Sequence, residues 1–203
     1  MSEPDLAAIA AELAAMAEDD QRVRAELAAD GSLYNGYHPV MEAVHRRNAA
    51  RLEEIVARIG WPGHPLVGRH AAWAAWLILQ HAIGDPGLQR RGLGWLREAA
   101  ERGDVPAVEV AMLEDRIAVF EGRPQRYATQ FDPDDQGRLV PYPVADPAGV
   151  DDRRVAVGLP PLAETIRAKQ ALLAAEGSPG PSADRADRRQ RYEAWLRRVG
   201  WRD

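Results

Sequence analysis

Polar side chains interrupt the apolar stripes of three predicted helices. A stripe of apolar residues at spacings of three and four faces the core of a helical protein, so a polar group within it must be paired, hydrogen-bonded or functional. Because these polar positions belong to three different helices, we expect them to line one cavity in a bundle. The positions are His45 and Asn48 in the second helix, Gln80 and His81 in the third, and Asp115 in the fifth.

The chemistry that these residue types predict is acid–base catalysis. A carboxylate that orients a neutral imidazole turns that imidazole into a general base. We therefore expect His81 or His45 to accept a proton, with Asp115 as the orienting carboxylate, in hydrolysis of or proton transfer on a small polar substrate without a cofactor. The alternative is a structural network that satisfies itself and fixes helix register, in a protein that is a helical binding or interaction module.

A metal site is the third alternative. Glu42 and His45 match the Glu-x-x-His element of carboxylate-bridged di-iron bundles, and His38 shares their helix face. Those bundles need a second such element and two further glutamates, and the sequence contains no second copy. We therefore predict neither a metal ion nor another cofactor.

The segment GRPQRYATQF after the fifth helix is dense in amides and hydroxyls. Such groups orient a polar ligand through hydrogen bonds but are poorly suited to breaking bonds. We expect this loop to cover the open end of the bundle, the alternative being an ordinary surface loop. The predicted substrate-binding residues are Asn48, Gln80, Arg116, Gln125, Tyr127 and Gln130.

Composition removes most other kinds of site. The sequence has no cysteine, which excludes disulfides, Fe–S clusters and thiol catalysis. It also contains no GxGxxG, Walker, HExxH or GxSxG motif. The serines all lie in predicted termini, loops or a linker, so a serine nucleophile is not expected.

The net charge of -5 argues against nucleic acid as a partner. All but one of the 26 basic residues are arginine, a bias typical of a GC-rich genome, so single arginines carry little functional weight. The longest apolar run, residues 71–79, is shorter than the ~20 residues that span a bilayer. The sequence shows no targeting segment, so we expect a cytoplasmic protein that binds no membrane. The sequence does not predict its oligomeric state.

The elements that must position these side chains are predominantly helices. We predict a mostly α fold, an antiparallel bundle of about five core helices, with an irregular loop or short hairpin near 123–146 and C-terminal helices. Residues 1–176 form the helical domain, 177–182 a linker and 183–203 an Arg-rich helix. The predicted core helices end near residues 31, 60, 82, 103 and 122, where glycine or a turn follows.

Two helices have features that bear on packing. In the fourth, Gly92 and Gly94 lower helix propensity and are expected to permit close packing. The third is apolar almost all round, which predicts a central position. The first is assigned from an apolar stripe of Leu6, Ile9, Leu13, Met16, Val23 and Leu27.

Several motifs in order resemble a bacterial family of domains of unknown function. They are IGWPG near residue 60, AAWLILQHA ending at Ala82, LEDRIAVFEGRPQRYATQF from Leu113, and the later VDDRR and VGLPPL. The resemblance covers residues 37–165, and members usually carry glycine where this chain has Ala128. It implies no activity, cofactor or partner. It does place seven of the candidate residues within family motifs, namely Gln80, His81, Asp115, Arg116, Gln125, Tyr127 and Gln130.

Overall fold

The computed structural model describes residues 4–34, 36–134, 136–175 and 185–203. Within these ranges the chain forms eight α-helices and one two-stranded antiparallel sheet, which confirms the predicted mostly α architecture. No helix in the same ranges is long and apolar enough to cross a bilayer.

Packing divides the chain into two compact units, Met1–Pro106 and Ala107–Asp203. The first unit holds four of the predicted core helices, and the fifth belongs to the second unit. The linker predicted at residues 177–182 lies outside the described residues. The predicted extent of the helical domain stays a prediction.

The first unit consists of four α-helices and one short 3-10 helix. Each α-helix begins within two residues of a proline or a capping aspartate, and the sequence predicts the starts of α2 and α4 at these residues. The elements are α1 (Leu6–Ala29), the 3-10 helix (Ser32–Tyr34), α2 (Pro39–Ile59), α3 (His64–His81) and α4 (Pro86–Glu101).

Helix α2 begins and ends where the sequence predicts. Pro39 occupies its first turn, and Nδ1 of His38 accepts the backbone N–H of Val40 at 3.2 Å. Gly60 follows the last turn with a φ of 74°, a conformation that a residue with a Cβ rarely adopts. The helix therefore ends at Ile59.

Helix α3 is the centre of the first unit, because α1, α2 and α4 all pack against it. It is not continuous: Gly68 has a non-helical backbone, with φ 78° and ψ 163°, and produces a kink that the sequence does not predict. Burial of each Leu- or Ile-sized side chain contributes about 1.5–3 kcal/mol to folding. The most deeply buried are Leu13, Leu52, Ile55, Ile78, Leu79, Leu88 and Leu96.

Helix α4 approaches α3 closely at Gly92. A Cβ atom at this position would lie 2.5 Å from Cδ1 of Leu79, well inside van der Waals contact. Gly94 is exposed, and a Cβ there would meet no atom within 4 Å. Gly92 therefore permits the close packing that the sequence suggests, whereas Gly94 does not contribute to it.

The second unit combines short helices with a small hairpin. Its hairpin lies within the segment 123–146 for which the sequence predicts a loop or a short hairpin. The elements are α5 (Ala107–Phe120), β1 (Phe131–Pro133), β2 (Leu139–Pro141), a 3-10 helix (Pro147–Gly149), α6 (Val150–Ala156), α7 (Leu162–Ala175) and α8 (Arg185–Arg198).

Aromatic side chains join the end of α5 to the C-terminal residues of the second unit. The ring of Phe120 lies 5.7 Å from that of Trp195 and 4.9 Å from that of Trp201, and both tryptophans are buried. Arg202 donates hydrogen bonds to the carbonyl oxygens of Val119 and Phe120, at 2.9 and 2.8 Å. These contacts satisfy backbone acceptors that the end of a helix leaves open.

Candidate functional site

Two histidines selected from the sequence, His45 and His81, lie next to each other in the first unit. His45 is in α2 and His81 is the last residue of α3, and their ring centroids are 5.1 Å apart. Both rings contact the same carboxylate, that of Asp20 in α1. The three side chains, from three helices, are called the Asp–His cluster below.

The carboxylate of Asp20 uses one oxygen for each histidine. Its Oδ1 lies 2.9 Å from Nδ1 of His81 in a hydrogen bond. Its Oδ2 lies 3.1 Å from Nε2 of His45, but this contact lacks the alignment of a hydrogen bond, and neither atom has a hydrogen-bond partner. Asp20 is only 1% exposed and His45 8%. Two buried polar atoms therefore face each other without a proton aligned between them.

Neighbouring groups orient the cluster. The hydroxyl of Tyr37 lies 2.8 Å from Nδ1 of His45, and the two rings stack at a centroid distance of 5.7 Å. Nε2 of Gln21 donates to Oδ1 of Asp20 at 3.3 Å. The His45 ring is thus held at Nδ1 and presents Nε2 to Asp20.

Electrostatics keep Asp20 ionised. Burial alone would raise the pKa of this carboxyl group, but its interactions with His45 and His81 outweigh that penalty and hold its pKa well below the ordinary value. The cluster therefore contains a buried carboxylate anion at neutral pH.

A pocket of about 230 Å³ lies against His45. Its wall is formed by the end of the loop before α2, one face of α2 and the turn between α3 and α4. Charged side chains of both signs contribute to it, which suits a polar occupant. The lining residues are Tyr37, Glu42, His45, Arg46, Ala49, Ala50, Glu53, Ala82, Gly84 and Asp85.

Asn48 and Gln80, two predicted binding residues, lie in the same unit as the Asp–His cluster. Asn48 is 1% exposed and its Nδ2 donates to the carbonyl of Met16 at 3.3 Å, which links α2 to α1. Gln80 is 2% exposed, and its backbone carbonyl accepts a hydrogen bond from Gln89 at 3.0 Å.

Asp115 is in the second unit, where its carboxylate binds the loop after α5. Oδ1 accepts the backbone N–H groups of Arg126 and Tyr127 at 2.7 and 3.0 Å. Oδ2 accepts both the N–H and the hydroxyl of Thr129, at 2.9 and 3.0 Å. This carboxylate, which is fully buried, orders the loop. The carboxylate that contacts both imidazoles is Asp20, where the sequence points to Asp115.

The glutamines of this loop bind each other and the adjacent hairpin. Nε2 of Gln125 donates to the carbonyls of Gln130 and Tyr142, both at 2.9 Å, and its Oε1 accepts the N–H of Gln130 at 2.9 Å. Nε2 of Gln130 donates to the hydroxyl of Thr129 at 3.1 Å. Both amides therefore hold the conformation of the loop.

The remaining two predicted binding residues lie in the same unit. The guanidinium of Arg126 lies 5.4 Å above the ring of Tyr127. Arg116, in α5, is half-buried, and desolvation lowers its pKa to about 10.

Ala128 occupies the position where the resemblance in sequence implies glycine. Its φ is 53°, in the left-handed region, and the residue is fully buried. Arg154 donates to the carbonyl oxygens of Tyr127 and Ala128, at 2.6 and 3.1 Å, and so holds this strained backbone. The unusual conformation is retained although the residue is alanine.

The residue of the candidate site that the sequence pattern did not single out is Asp20. The apolar stripe of the first helix contains Met16 and Val23, seven residues apart, and position 20 falls between them at spacings of four and three. The criterion that selected His45, a polar group in an apolar stripe, would also have selected Asp20. Tyr37 lies in a turn-rich loop and gives no comparable signal.

The chain matches the model of one protein family over residues 4–176. This match includes α1 and therefore Asp20, whereas the motifs visible in the sequence extend only over residues 37–165. No curated protein and no solved structure matches the chain. The chain belongs to DUF6624, a family of unknown function.

Proposed function

We propose that the first unit contains the active site of an enzyme that hydrolyses a small polar molecule. In this proposal the Asp–His cluster activates the attacking water, and the adjacent pocket binds the substrate. The single observation that carries it is the convergence of two imidazoles on one buried carboxylate, beside a pocket that His45 itself lines. Perturbed titratable groups next to a polar pocket are typical of active sites.

The step that we propose is a general-base hydrolysis. The water oxygen forms a bond to the electrophilic atom of the substrate while its proton passes to an imidazole nitrogen of the cluster. The bond to the leaving group then breaks, and the leaving group takes that proton. Asp20 orients the histidines and stabilises the imidazolium that forms between the two transfers.

The pocket favours a substrate that is small and polar. Its volume of about 230 Å³ is below the range of about 300–1,000 Å³ that is usual for drug-sized ligands. Glu42, Arg46 and Asp85 provide charges of both signs, so a substrate with donor and acceptor groups can be matched at both ends. We infer that the substrate is a metabolite rather than a polymer.

The proposed setting is the bacterial cytoplasm, without a nucleic-acid partner. The acidic net charge of -5 argues against a nucleic-acid partner, because nucleic-acid binding needs an excess of clustered positive charge. The lack of cysteine is compatible with a reducing compartment, where disulfides do not contribute to stability.

The proposal is tested by incubating the purified full chain with a fractionated small-molecule extract and following masses that change by addition of one water. The matched samples are the Asp20→Asn, His45→Gln and His81→Gln variants, with His70→Gln as the control, because His70 is exposed on α3. We expect hydrolysis by the wild type and by His70→Gln, and a loss of at least about 100-fold in the three cluster variants.

Two results would contradict the proposal. One is an extract in which the wild type and Asp20→Asn produce identical mass profiles. The other is a hydrolysis that all three cluster variants retain while their circular dichroism and melting temperatures match the wild type.

A further inference from the structure

The donor atoms of the Asp–His cluster form a set that suits a metal ion. One carboxylate oxygen and two imidazole nitrogens lie within 4.8 Å of one another, and they come from three helices that a packed core holds together. A carboxylate and two imidazoles form the protein half of many catalytic zinc and iron sites, which leave further positions for water.

The atoms without hydrogen bonds point to a cation. Oδ2 of Asp20 and Nε2 of His45 are buried, 3.1 Å apart and without a hydrogen-bond partner. Leaving a buried donor or acceptor without a hydrogen bond destabilises the folded state, and a charged group does so more strongly. When Nδ1 of His45 donates its proton to the oxygen of Tyr37, Nε2 carries a lone pair, so two electron-rich atoms face each other. A cation between them removes that repulsion.

The contacts around the cluster are those of a metal-binding histidine. Such a histidine usually makes a hydrogen bond through the ring nitrogen that does not bind the metal, which fixes its tautomer and orientation. Tyr37 provides this contact at Nδ1 of His45, at 2.8 Å. Gln21 provides the corresponding contact to the carboxylate of Asp20.

We propose that Asp20, His45 and His81 bind a divalent first-row transition metal ion, with Zn²⁺ as the best match. Two imidazole nitrogens disfavour Mg²⁺ and Ca²⁺, which select oxygen ligands. Binding through Nδ1 of His81 displaces the proton that this nitrogen donates to Asp20, and the neutral ring then carries its proton on Nε2. Metal binding goes beyond the proposed function and does not depend on it. One further role rests on the proposed function: a bound ion would activate the hydrolytic water in place of an imidazole nitrogen.

The distances require small movements of the side chains. Ligands about 2.1 Å from a tetrahedral ion are roughly 3.4 Å apart. The contacts of 2.9 and 3.1 Å, which involve the two different oxygens of Asp20, must therefore open by a few tenths of an ångström. Any wider separation among the three ligand atoms, which all lie within 4.8 Å of one another, must close. The pocket that His45 lines lies next to this set of donor atoms.

The test uses the full chain after removal of metals with a chelator and dialysis. Zn²⁺ alone is titrated in by calorimetry, and Co²⁺ is added separately to record the visible absorption of a tetrahedral or five-coordinate site. We expect one ion per chain, and a Kd that increases more than roughly 100-fold in Asp20→Asn and His81→Gln. In His70→Gln, the exposed control, the Kd should equal that of the wild type.

A second variant keeps the test decisive if substitutions at the buried ligands impair folding. Tyr37→Phe removes only the hydroxyl that contacts Nδ1 of His45. We expect it to fold and to bind Zn²⁺ about 10- to 100-fold more weakly, the range found when such supporting contacts are lost. A wild-type chain that binds less than a stoichiometric amount of Zn²⁺, or an unchanged Kd in both Tyr37→Phe and Asp20→Asn, overturns the proposal.

Different results would contradict the proposed metal site and the proposed enzymatic activity. Stoichiometric Zn²⁺ binding without any hydrolysis contradicts the proposed function and leaves the metal site standing. Hydrolysis that persists at full rate after the metal has been removed contradicts the role of the ion and leaves the histidines as the bases.

Discussion

Nδ1 of His81 lies 2.9 Å from Oδ1 of Asp20, although 61 residues separate them in the chain. The contact joins the last residue of α3 to the middle of α1, and His45 of α2 completes the group from the other oxygen of the same carboxylate. Three helices therefore share one buried charge. This arrangement makes the first unit depend on Asp20 for structure as well as for the chemistry that we propose.

Asp20→Asn should lower the free energy of unfolding by about 1–3 kcal/mol, because it removes a buried charged acceptor and leaves its partners behind. The adjacent Asp19→Asn is the matched control. Asp19 forms ion pairs with Arg22 and Arg47 at the surface, which contribute at most about 1 kcal/mol. The free energies of unfolding of both variants are measured by urea denaturation, with circular dichroism as the signal. Equal destabilisation by the two variants would argue against a special role for the buried carboxylate.

Asp115→Asn should destabilise the protein by about 3 kcal/mol or more. An amide can no longer accept all the hydrogen bonds that Arg126, Tyr127 and Thr129 donate, and its NH₂ group would face other donors. Thermal unfolding of the variant measures the effect. If Asp115 is instead the catalytic carboxylate that the sequence suggests, turnover should disappear while the melting temperature stays constant.

Arg154→Lys should lower stability by about 2–4 kcal/mol. The guanidinium of this buried side chain donates to the carbonyl of Pro160 through Nε, to two loop carbonyls through Nη1 and to the hydroxyl of Thr165 through Nη2. An ammonium group cannot reproduce this planar set of donors. The exposed Arg167→Lys is the control and should change the urea midpoint little. An equal loss of stability in both variants would show that the hydrogen bonds of Arg154 make no special contribution.

Gly92→Ala and Gly94→Ala should change stability in opposite directions. The new Cβ at position 92 would overlap Leu79 and should cost about 1–3 kcal/mol. At position 94 a Cβ meets open space on an exposed helix face, so the higher helix propensity of alanine should stabilise the protein by about 0.5–1 kcal/mol. Chemical denaturation distinguishes the two. A neutral or stabilising Gly92→Ala would show that α3 and α4 are less closely packed than described.

Helix positions could be predicted from the sequence because their signals are local. Pro39 and Gly60 delimit α2 by backbone conformation alone, and the residues between them carry the periodicity. The kink at Gly68 could not be predicted in this way, because a glycine inside a helical pattern is compatible with both a straight and a broken helix.

Only part of the candidate site could be predicted from the sequence. Apolar periodicity indicates that His45 and His81 point inward. It does not show which inward-facing groups of different helices contact each other. Asp115 and Asp20 both lie in apolar stripes, and only the tertiary contacts distinguish the one that orders a loop from the one that contacts imidazoles. Spacing along one helix does not determine the partner on another.

The contacts of Arg202 have a consequence for the order in which the chain folds during synthesis. Its bonds to the carbonyls of Val119 and Phe120 span more than 80 residues, so the second unit cannot complete its packing until residue 202 has left the ribosome. The Asp–His cluster lies wholly within the first unit, which ends at Pro106. The first unit can therefore complete its packing, and with it the site that we propose, while the second is still being translated.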